Sequence, residues 1–358
     1  MSRSKLADMS SRPIERTWSP LSQTVPIGAL DGSTQLSISP HVRVERELSA
    51  IRRIHLGDRV ISLRPDDGER VARLFDKLDG QRTLTEVAED LEWSEEEAID
   101  AAQDLYGYAV LNNVGDASVP PLLFFKHVAA LGSSVQARLA GADSMIGSLM
   151  EGKPSRRLLM GHLIELYHVV DAASTHISPA INLAPNDRLR MLFCEYLADE
   201  YWHGRWLRKG LLAAGISEEE LDRSDPLPGT LAVVHFLRIK SATDLLAYAA
   251  CLSTAEAQGE GEVARVHRRY QMFDKDGLLG EDVIAPFRGH EIEDANSAHL
   301  SYCSEPFVEA AAIKRPHQDA IRSAVLLYLR TLDEQHRQVA RFYGDPQGPA
   351  CFRADLFD

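Results

Sequence analysis

The chain has 358 residues, of which 44% are hydrophobic and 26% are charged, as in an ordinary soluble globular protein. Its formal net charge of -14 makes nucleic acid and an acidic membrane surface poor partners. No apolar run reaches the roughly 18 residues of a membrane span, and the N-terminus MSRSKLADMSSRP lacks the apolar core of a signal peptide. The four cysteines lie far apart without a C-x-x-C pair, which predicts free thiols in the cytoplasm.

The N-terminal third of the sequence divides into two parts. Residues 1–38 are rich in Ser, Pro and Thr and show little hydrophobic periodicity, which predicts a mobile N-terminal segment. Residues 40–115 follow as a small α+β domain. HVRVERE and RVISLRP are predicted to be short strands, and GERVARLFDKLDG is predicted to be an amphipathic helix that ends at Gly80.

Two further helices of this domain carry start signals. One begins at a threonine cap, either Thr83 or Thr85, and the other begins at Ser94, which forms a capping box with Glu97 three residues later. Two strands followed by three short helices is the order of a small winged-helix-like domain. The segment VGDASVPP, with its pair of prolines, is predicted to be a linker.

From residue 122 to about residue 345 the sequence is helical in pattern, with apolar residues recurring about every 3.6 positions. Breaks rich in Gly, Pro and Asp, such as SPAINLAPND, separate the helices, and no β-α-β alternation or Gly-rich phosphate loop is present. The predicted fold is therefore mostly all-α, a helical bundle preceded by the small α+β domain, with residues 346–358 as a C-terminal tail. Such bundles commonly hold metals or cofactors between facing helices.

The segment YLADEYWHGRW contains Glu200 and His203. Side chains three residues apart are separated by about 60° around a helix, so both project from one face and can reach one ion. Apolar neighbours on this face predict that it points inward. A carboxylate with an imidazole suits iron, manganese or zinc. The alternative is a solvated glutamate beside a core histidine, because the E-x-x-H spacing also arises by chance.

Three more candidate ligands lie further along the chain. HEIED places His290 and Asp294 four residues apart, again on one helical face. Glu256 lies in the predicted apolar helix LLAYAACLSTAEAQ, where a buried carboxylate needs a partner. Six aromatic residues are interpreted as core, with a substrate pocket as the alternative: Tyr167, Tyr201, Trp202, Tyr248, Tyr270 and Tyr302.

The all-α part, about residues 122–345, resembles the heme-oxygenase-like superfamily, which includes thiaminase II, pyrroloquinoline quinone biosynthesis protein C and non-heme di-iron oxidases and oxygenases. DEYWHGRWLRKGLLAAG looks like the central helix of that superfamily, with E-x-x-H followed by a Leu-rich run to Gly. The superfamily's carboxylate on the next core helix falls on Glu256. Carried over position by position, the resemblance implies the metal ligands Glu200, His203, Glu256, His290 and Asp294.

The sixth ligand is open. The superfamily's last motif has a second histidine seven residues after the first, and Ser297 stands there in this chain. In a regular helix His299 would point about 180° away from His290, which is the favoured expectation; a π-bulge or local unwinding would turn it toward the metal. Glu165 and His168 repeat the E-x-x-H spacing and are interpreted as core and edge residues, with ligation as the alternative.

Residues 74–113 resemble the pyrroloquinoline quinone biosynthesis protein D family, winged-helix-like domains that bind leader peptides of ribosomally made, modified peptides. The resemblance implies that residues 40–115 recognise a leader peptide or peptide substrate. DNA binding is the rival interpretation, but the helix at residues 94–105 carries five acidic residues and no basic one, so it would repel phosphates. A peptide is expected to add as a strand, with Arg43, Arg46, Arg52 or Arg53 meeting its acidic residues, Arg43 and Arg46 first. A dimerisation or packing domain is the remaining alternative, which leaves a homodimer open.

The residues and the two resemblances together predict a non-heme iron enzyme. It would hold one or two irons and use dioxygen as co-substrate in the oxidation or oxygenation of a peptide or amino-acid-derived molecule in natural-product biosynthesis. Histidine and carboxylate ligands leave open positions on iron where dioxygen can bind. One alternative is a metal-free oxidase or thiaminase-like hydrolase in which Glu200 and His203 act as base and acid. The other alternative is a non-enzymatic binding protein.

Overall fold

The computed structural model describes residues 30–56, 59–115, 118–141, 144–150, 154–256, 260–296 and 299–357. Two compact units are present. Unit 1 contains the described residues up to Ser134 together with Phe307–Ala320, and unit 2 contains Val135–Pro306 and Ile321–Asp358. Most of the predicted mobile segment, residues 1–29, lies outside the described residues.

Unit 1 carries the strands. They are β1 (Gln35–Ile38), β2 (Val42–Glu47), β3 (Ala50–Leu56), β4 (Arg59–Ser62), β5 (Asp79–Thr83), β6 (Leu111–Asn113), β7 (Ser118–Val119) and β8 (Ile313–Lys314). They form two three-stranded antiparallel sheets in the orders β5-β1-β6 and β2-β3-β4, and β7 pairs with β8. The strand β2 therefore lies at the edge of its sheet.

The helices of unit 1 include two that begin at predicted caps and one that begins at Pro65, three residues before its predicted start at Gly68. They are α1 (Pro65–Phe75), α2 (Leu84–Leu91), α3 (Glu95–Gly107) and the first part of α4 (Pro121–Leu139). Thr83, and not Thr85, caps α2 through a capping box with Glu86, and Ser94 caps α3 through the expected box with Glu97. These caps satisfy backbone N–H groups that the first turn of a helix leaves without partners.

The structure corrects four predictions in unit 1. β1 lies inside the predicted N-terminal segment, where only Leu36 marks it as a buried strand. β3 was not predicted, because Arg52 and Arg53 break its alternation. The first helix ends at Phe75 and not at Gly80, which lies in β5 with a φ of 77°. The predicted linker contains β7.

Unit 2 is helical throughout the part that the structure describes. After the end of α4, its helices are α5 (Met145–Met150), α6 (Arg156–Asp171), α7 (Ala173–Leu183), α8 (Asp187–Glu200), α9 (His203–Ala213), α10 (Glu218–Asp222), α11 (Pro228–Thr243), α12 (Leu245–Leu252), α13 (Glu260–Phe273), α14 (Glu281–Asn296), α15 (Leu300–Val308) and α16 (Arg315–Tyr343), followed by a 3₁₀ turn, Ala354–Phe357. Residues of α15 and α16 belong to both units. The mostly all-α fold with a small α+β part at its N-terminal end is confirmed.

Apolar side chains mainly from α6, α9, α13, α14 and α16 form one hydrophobic core cluster of unit 2. Within it, α9 and α14 run antiparallel and approach closely at Gly210, which faces the backbone of Val283 and the ring of Phe287. This close approach brings His203 of α9 beside His290 of α14. None of the described helices is long and apolar enough to cross a membrane. All four cysteines are free.

Candidate metal centre

Six ionisable side chains from five parts of unit 2 meet in its interior. All six side chains are at most 11% exposed. Two overlapping groups of three have ligand atoms within 4.8 Å of one another, and they share Glu200: Glu200, His203 and His290, and Glu200, Asp294 and His299. Buried carboxylates and imidazoles at these distances could hold a metal ion.

The E-x-x-H pair does not lie on one continuous helix. Helix α8 ends at Glu200 and α9 begins at His203, with Tyr201 and Trp202 between them. Both intervening residues stay close to helical dihedral angles, so the two ligands remain on the same side of the chain. His203 Nδ1 lies 3.2 Å from Glu200 Oε2, as the spacing predicted.

The second pair lies on a regular helix. His290 and Asp294 are one turn apart on α14, and His290 Nδ1 lies 3.3 Å from Asp294 Oδ2. The imidazole rings of His203 and His290 meet edge to face, with their centroids 4.7 Å apart. The Asp294 carboxylate reaches across to α9, since its Oδ1 is 3.6 Å from His203 Nδ1.

The expectation that His299 points away from the site is wrong. Helix α14 is described to Asn296, His299 itself lies in a turn, and α15 begins at Leu300. The backbone N–H of His299 bonds to the carbonyl of Asp294, five residues earlier, which is the hydrogen-bond spacing of a π-turn. The imidazole of His299 lies inside the cluster, with its Nδ1 within 3.5 Å of Glu200, Glu256 and Asp294. Ser297, at the position of the expected histidine, lies outside the described residues.

Glu256 also sits differently from its predicted place on a helix. Helix α12 ends at Leu252, and Glu256 follows in the turn beyond it. Its Oε2 is 3.2 Å from His299 Nδ1, and the same nitrogen is 3.2 Å from Glu200 Oε1. Glu256 therefore reaches the cluster beside His299.

Several buried atoms of the cluster make no hydrogen bond in the described part of the chain, although His290 Nδ1 and Asp294 Oδ1 lie 3.3–3.6 Å from ionisable neighbours. They are both ring nitrogens of His290, Nε2 of His299 and Oδ1 of Asp294. Buried polar atoms are nearly always paired, because an unpaired one costs about 1–3 kcal/mol. An ion bound among these atoms would supply the missing partner, so the donor set fits a metal.

The pKa shifts of the cluster residues also fit a bound metal. Burial, and then the charges of Glu200 and Glu256, raise the pKa of Asp294 well above its usual value. Burial lowers the pKa of His290 to about 3, which leaves its imidazole neutral at physiological pH. Burial disfavours the ionised form of Glu256, but its hydrogen bonds with His299 and Tyr196 and the charges of His299 and His290 together outweigh burial and lower the pKa of this carboxyl. Metals bind neutral imidazole and ionised carboxylate. His290 and Glu256 already favour these forms, and Asp294 would ionise beside a bound cation.

Two tyrosines that sequence reasoning did not connect to the site hold its carboxylate side. The Tyr196 hydroxyl donates to Glu256 Oε1 at 2.5 Å, and the Tyr196 ring stacks on the ring of Tyr302 at 4.6 Å. The Tyr302 hydroxyl donates to Asp199 Oδ2. Tyr196 precedes Glu200 by one helical turn, and this spacing was a signal in the sequence that it lies on the same face.

The second E-x-x-H pair lies apart from the cluster. Glu165 accepts hydrogen bonds from the Leu227 N–H, the Thr230 hydroxyl and the Tyr343 hydroxyl. His168 Nε2 pairs with the Ser224 hydroxyl. Because protein groups already satisfy Glu165, its interpretation as a core residue is favoured over ligation.

The two arginines favoured for peptide binding both lie on β2 in unit 1. Arg46 forms an ion pair with Asp76 at 2.7 Å. In the described part of the chain no carboxylate pairs with Arg43, whose side chain is exposed. Arg43, unlike Arg46, is therefore available to pair with a carboxylate from outside the chain.

Among known proteins, no family model and no curated protein matches the chain. Two solved structures are similar to it in fold. One is a domain of unknown function with a heme oxygenase-like fold from Shewanella denitrificans, with a TM-score of 0.49 and 16% identity over 60% of this chain and 90% of that one. The other is a TenA homolog from Pseudomonas syringae pv. tomato, with a TM-score of 0.47 and 16% identity over 61% of this chain and 93% of that one. At TM-scores below 0.5, neither likeness carries an inference about activity.

Proposed function

We propose that this protein is a non-heme iron enzyme that uses dioxygen to oxidise or oxygenate a peptide or amino-acid-derived substrate in natural-product biosynthesis. The observation that supports this most directly is the buried convergence of three carboxylates and three imidazoles, with four of their polar atoms unpaired. The ligand set consists of Glu200, His203, Glu256, His290, Asp294 and His299.

The composition of the donor set favours iron. Nitrogen and oxygen donors without thiolate suit iron, manganese and zinc, and a mixed carboxylate and imidazole set accommodates both ferrous and ferric states. Three carboxylates are more negative charge than one divalent ion needs, and the two overlapping ligand groups offer donors for a single ion or for two. Bound iron would supply one-electron chemistry and an open position for dioxygen.

The protein's own residues position the ligands of the centre and keep bulk water away from it. Tyr196 fixes one oxygen of Glu256 by hydrogen bonding, so that the other oxygen faces His299. The turn at Asp294 and His299 places the last imidazole. Burial of the cluster excludes bulk water, which strengthens the electrostatic interactions inside it.

Metal analysis tests the proposal. The protein is loaded anaerobically with ferrous iron, desalted and analysed by elemental mass spectrometry, together with a His203→Ala and His290→Ala double variant. We expect iron in the wild type and its loss from the double variant. His168→Ala, taken from the other E-x-x-H pair, is the matched control and should retain iron. Iron at background in the wild type, or undiminished iron in the double variant, would refute the proposal.

A second candidate function rests on one contact. His203 Nδ1 and Glu200 Oε2 lie 3.2 Å apart and could act as an acid and base without metal, as in a cofactor-free oxidase or a hydrolase. Turnover by a metal-free, chelator-treated sample would favour this candidate over the iron enzyme.

We further propose that unit 1 binds a peptide along β2. This strand lies at the edge of its sheet and is mostly exposed, and Arg43 is available to an acidic side chain. The acidic helix α3 disfavours nucleic acid. Short peptides encoded beside the gene should bind the full chain, and Arg43→Glu should weaken binding about two- to fivefold, since an exposed ion pair contributes about 0.2–1 kcal/mol. Salt-sensitive binding to duplex DNA would contradict the assignment.

A further inference from the structure

Three large aromatic side chains lie exposed at the junction of α8 and α9, next to the buried centre. Tyr201 is 59% exposed, Trp202 is 49% exposed and Trp206 is 38% exposed. Single exposed apolar residues are ordinary on a protein surface, but contiguous groups of them mark binding sites. Tyr201 and Trp202 were interpreted as core, with a substrate pocket as the alternative, and the structure exposes both.

The side chains of this surface are arranged in relation to one another. The rings of Tyr201 and Trp202 meet edge to face at 5.2 Å. The Arg205 guanidinium lies over the Trp202 ring, 4.1 Å from its centroid. Arg205 and Trp206 of α9 lie three and four residues after Trp202, the residue that precedes this helix, so all three side chains project from the same side. We call Tyr201, Trp202, Arg205 and Trp206 the aromatic patch.

The aromatic patch adjoins the candidate metal centre through Trp206. Its ring lies 4.9 Å from the ring of His203, whose imidazole belongs to the centre. Trp206 is thus partly open to solvent and is also in contact with a proposed ligand. A molecule resting on Trp206 would be separated from the centre by one layer of side chains.

The charge of the patch indicates what would bind there. On the same helix Arg208 is paired with Asp222 at 2.7 Å. Arg205, in contrast, forms no ion pair with any carboxylate in the described part of the chain, although the protein carries a net charge of -14. Stacking on Trp202 uses one face of the planar guanidinium and leaves its N–H edge free. That edge fits a carboxylate, to which it can donate two parallel hydrogen bonds.

We propose that the aromatic patch docks the substrate, and that the substrate carries a carboxylate and an aromatic ring. Arg205 binds the carboxylate, and Trp202 and Trp206 pack against the ring, with offset-stacked or edge-to-face contacts. This inference deepens the proposed function, on which it rests for the statement that the docked molecule is a substrate. The binding itself needs no metal, so it is tested separately.

The test uses 3-phenylpropanoate, its neutral amide 3-phenylpropanamide, and hexanoate, each titrated calorimetrically into the metal-free full chain. We expect saturable binding of 3-phenylpropanoate with a Kd of about 1 mM or tighter, as its size allows. The amide lacks the charge and hexanoate lacks the ring, so both should bind at least about fivefold more weakly.

Variants assign the binding to the patch. Arg205→Gln should weaken 3-phenylpropanoate binding about tenfold or more, because a hydrogen bond to a charged group is lost. Arg223→Gln is the control, since it removes an equally charged, exposed arginine that is paired with Glu219 on α10; it should leave the Kd unchanged. No saturable binding, equal binding of the amide or of hexanoate, or an unchanged Kd in Arg205→Gln would overturn the inference.

Iron content measured on the same preparations separates this inference from the proposed function. Iron bound with no affinity for 3-phenylpropanoate refutes the docking site alone. Carboxylate binding with no iron refutes the iron enzyme and leaves the docking site in place.

Discussion

Gly210 is expected to set the distance between the two helices that carry His203 and His290. It lies two turns after His203 on α9, opposite Val283, which lies two turns before His290 on α14. A Cβ at position 210 would be 2.8 Å from the Val283 carbonyl oxygen and 2.9 Å from Phe287 Cε2, whereas ordinary contacts begin at 3.4 Å. Because the nearer atom belongs to the backbone, Gly210→Ala must move α14 away by roughly 0.6 Å.

This movement has a calculable cost. Overpacking of a helix contact destabilises a protein by about 1–3 kcal/mol. The higher helix propensity of alanine offsets about 1 kcal/mol of this loss. We therefore expect the free energy of unfolding to fall by about 0–2 kcal/mol. A binding constellation tolerates displacements of only about 0.5 Å, so the same shift should lower iron affinity about tenfold or more.

The assay combines thermal or denaturant unfolding with iron affinity measured by competition against a chelator. Gly289→Ala is the matched control, since it lies on α14 directly before His290 and a Cβ there meets nothing within 4 Å. The control should keep wild-type iron affinity and gain up to about 1 kcal/mol in stability. Unchanged iron affinity in Gly210→Ala, or an equal loss in Gly289→Ala, would show that the α9–α14 contact does not position the centre.

Three further predictions concern groups around the centre and in the core. Tyr196→Phe removes the hydrogen-bond donor to Glu256, so iron affinity in chelator competition should fall about tenfold. Glu165→Gln disturbs a buried acceptor of three hydrogen bonds, so the free energy of unfolding should fall by about 1–3 kcal/mol while iron content stays unchanged. Burial lowers the pKa of His176 to about 4 and that of His290 to about 3, so both stay neutral in the folded, metal-free protein. In the unfolded chain the same side chains gain protons below about pH 6.5. Each should therefore reduce the free energy of unfolding by about 1.4 kcal/mol per pH unit from pH 6.5 toward pH 4.

Each of these predictions has a clear contrary result. Wild-type iron affinity in Tyr196→Phe would mean that the hydrogen bond does not hold Glu256 for the metal. Loss of iron from Glu165→Gln would place that residue in the centre after all. A free energy of unfolding that is constant between pH 7 and pH 4 would mean that His176 and His290 protonate in the folded protein.

Part of this structure could be predicted from local patterns in the sequence. The capping box of Ser94 and Glu97 and the one-turn spacing of His290 and Asp294 depend only on residues within one or two turns, so both could be predicted. The side-by-side placement of Glu200 and His203 followed from the same geometry, although the helix changes from α8 to α9 between them.

The rest depended on interactions that sequence periodicity does not show. His299 lies in a turn, and its placement in the cluster does not fit the regular helix that periodicity assumes from His290 onward. Glu256 reaches the cluster from beyond the end of α12. The hydrogen bond from Tyr196 to Glu256 joins residues 60 positions apart, a pairing that packing alone determines.

Anomalous diffraction at the iron absorption edge, from crystals of the anaerobically loaded protein, tests the central claim most directly. We expect an iron peak among Glu200, His203 and His290, or among Glu200, Asp294 and His299, or at both places, and no such peak in crystals of the His203→Ala and His290→Ala double variant. Crystals of loaded protein without an iron peak at this cluster, or with iron bound only elsewhere in the chain, would contradict the account.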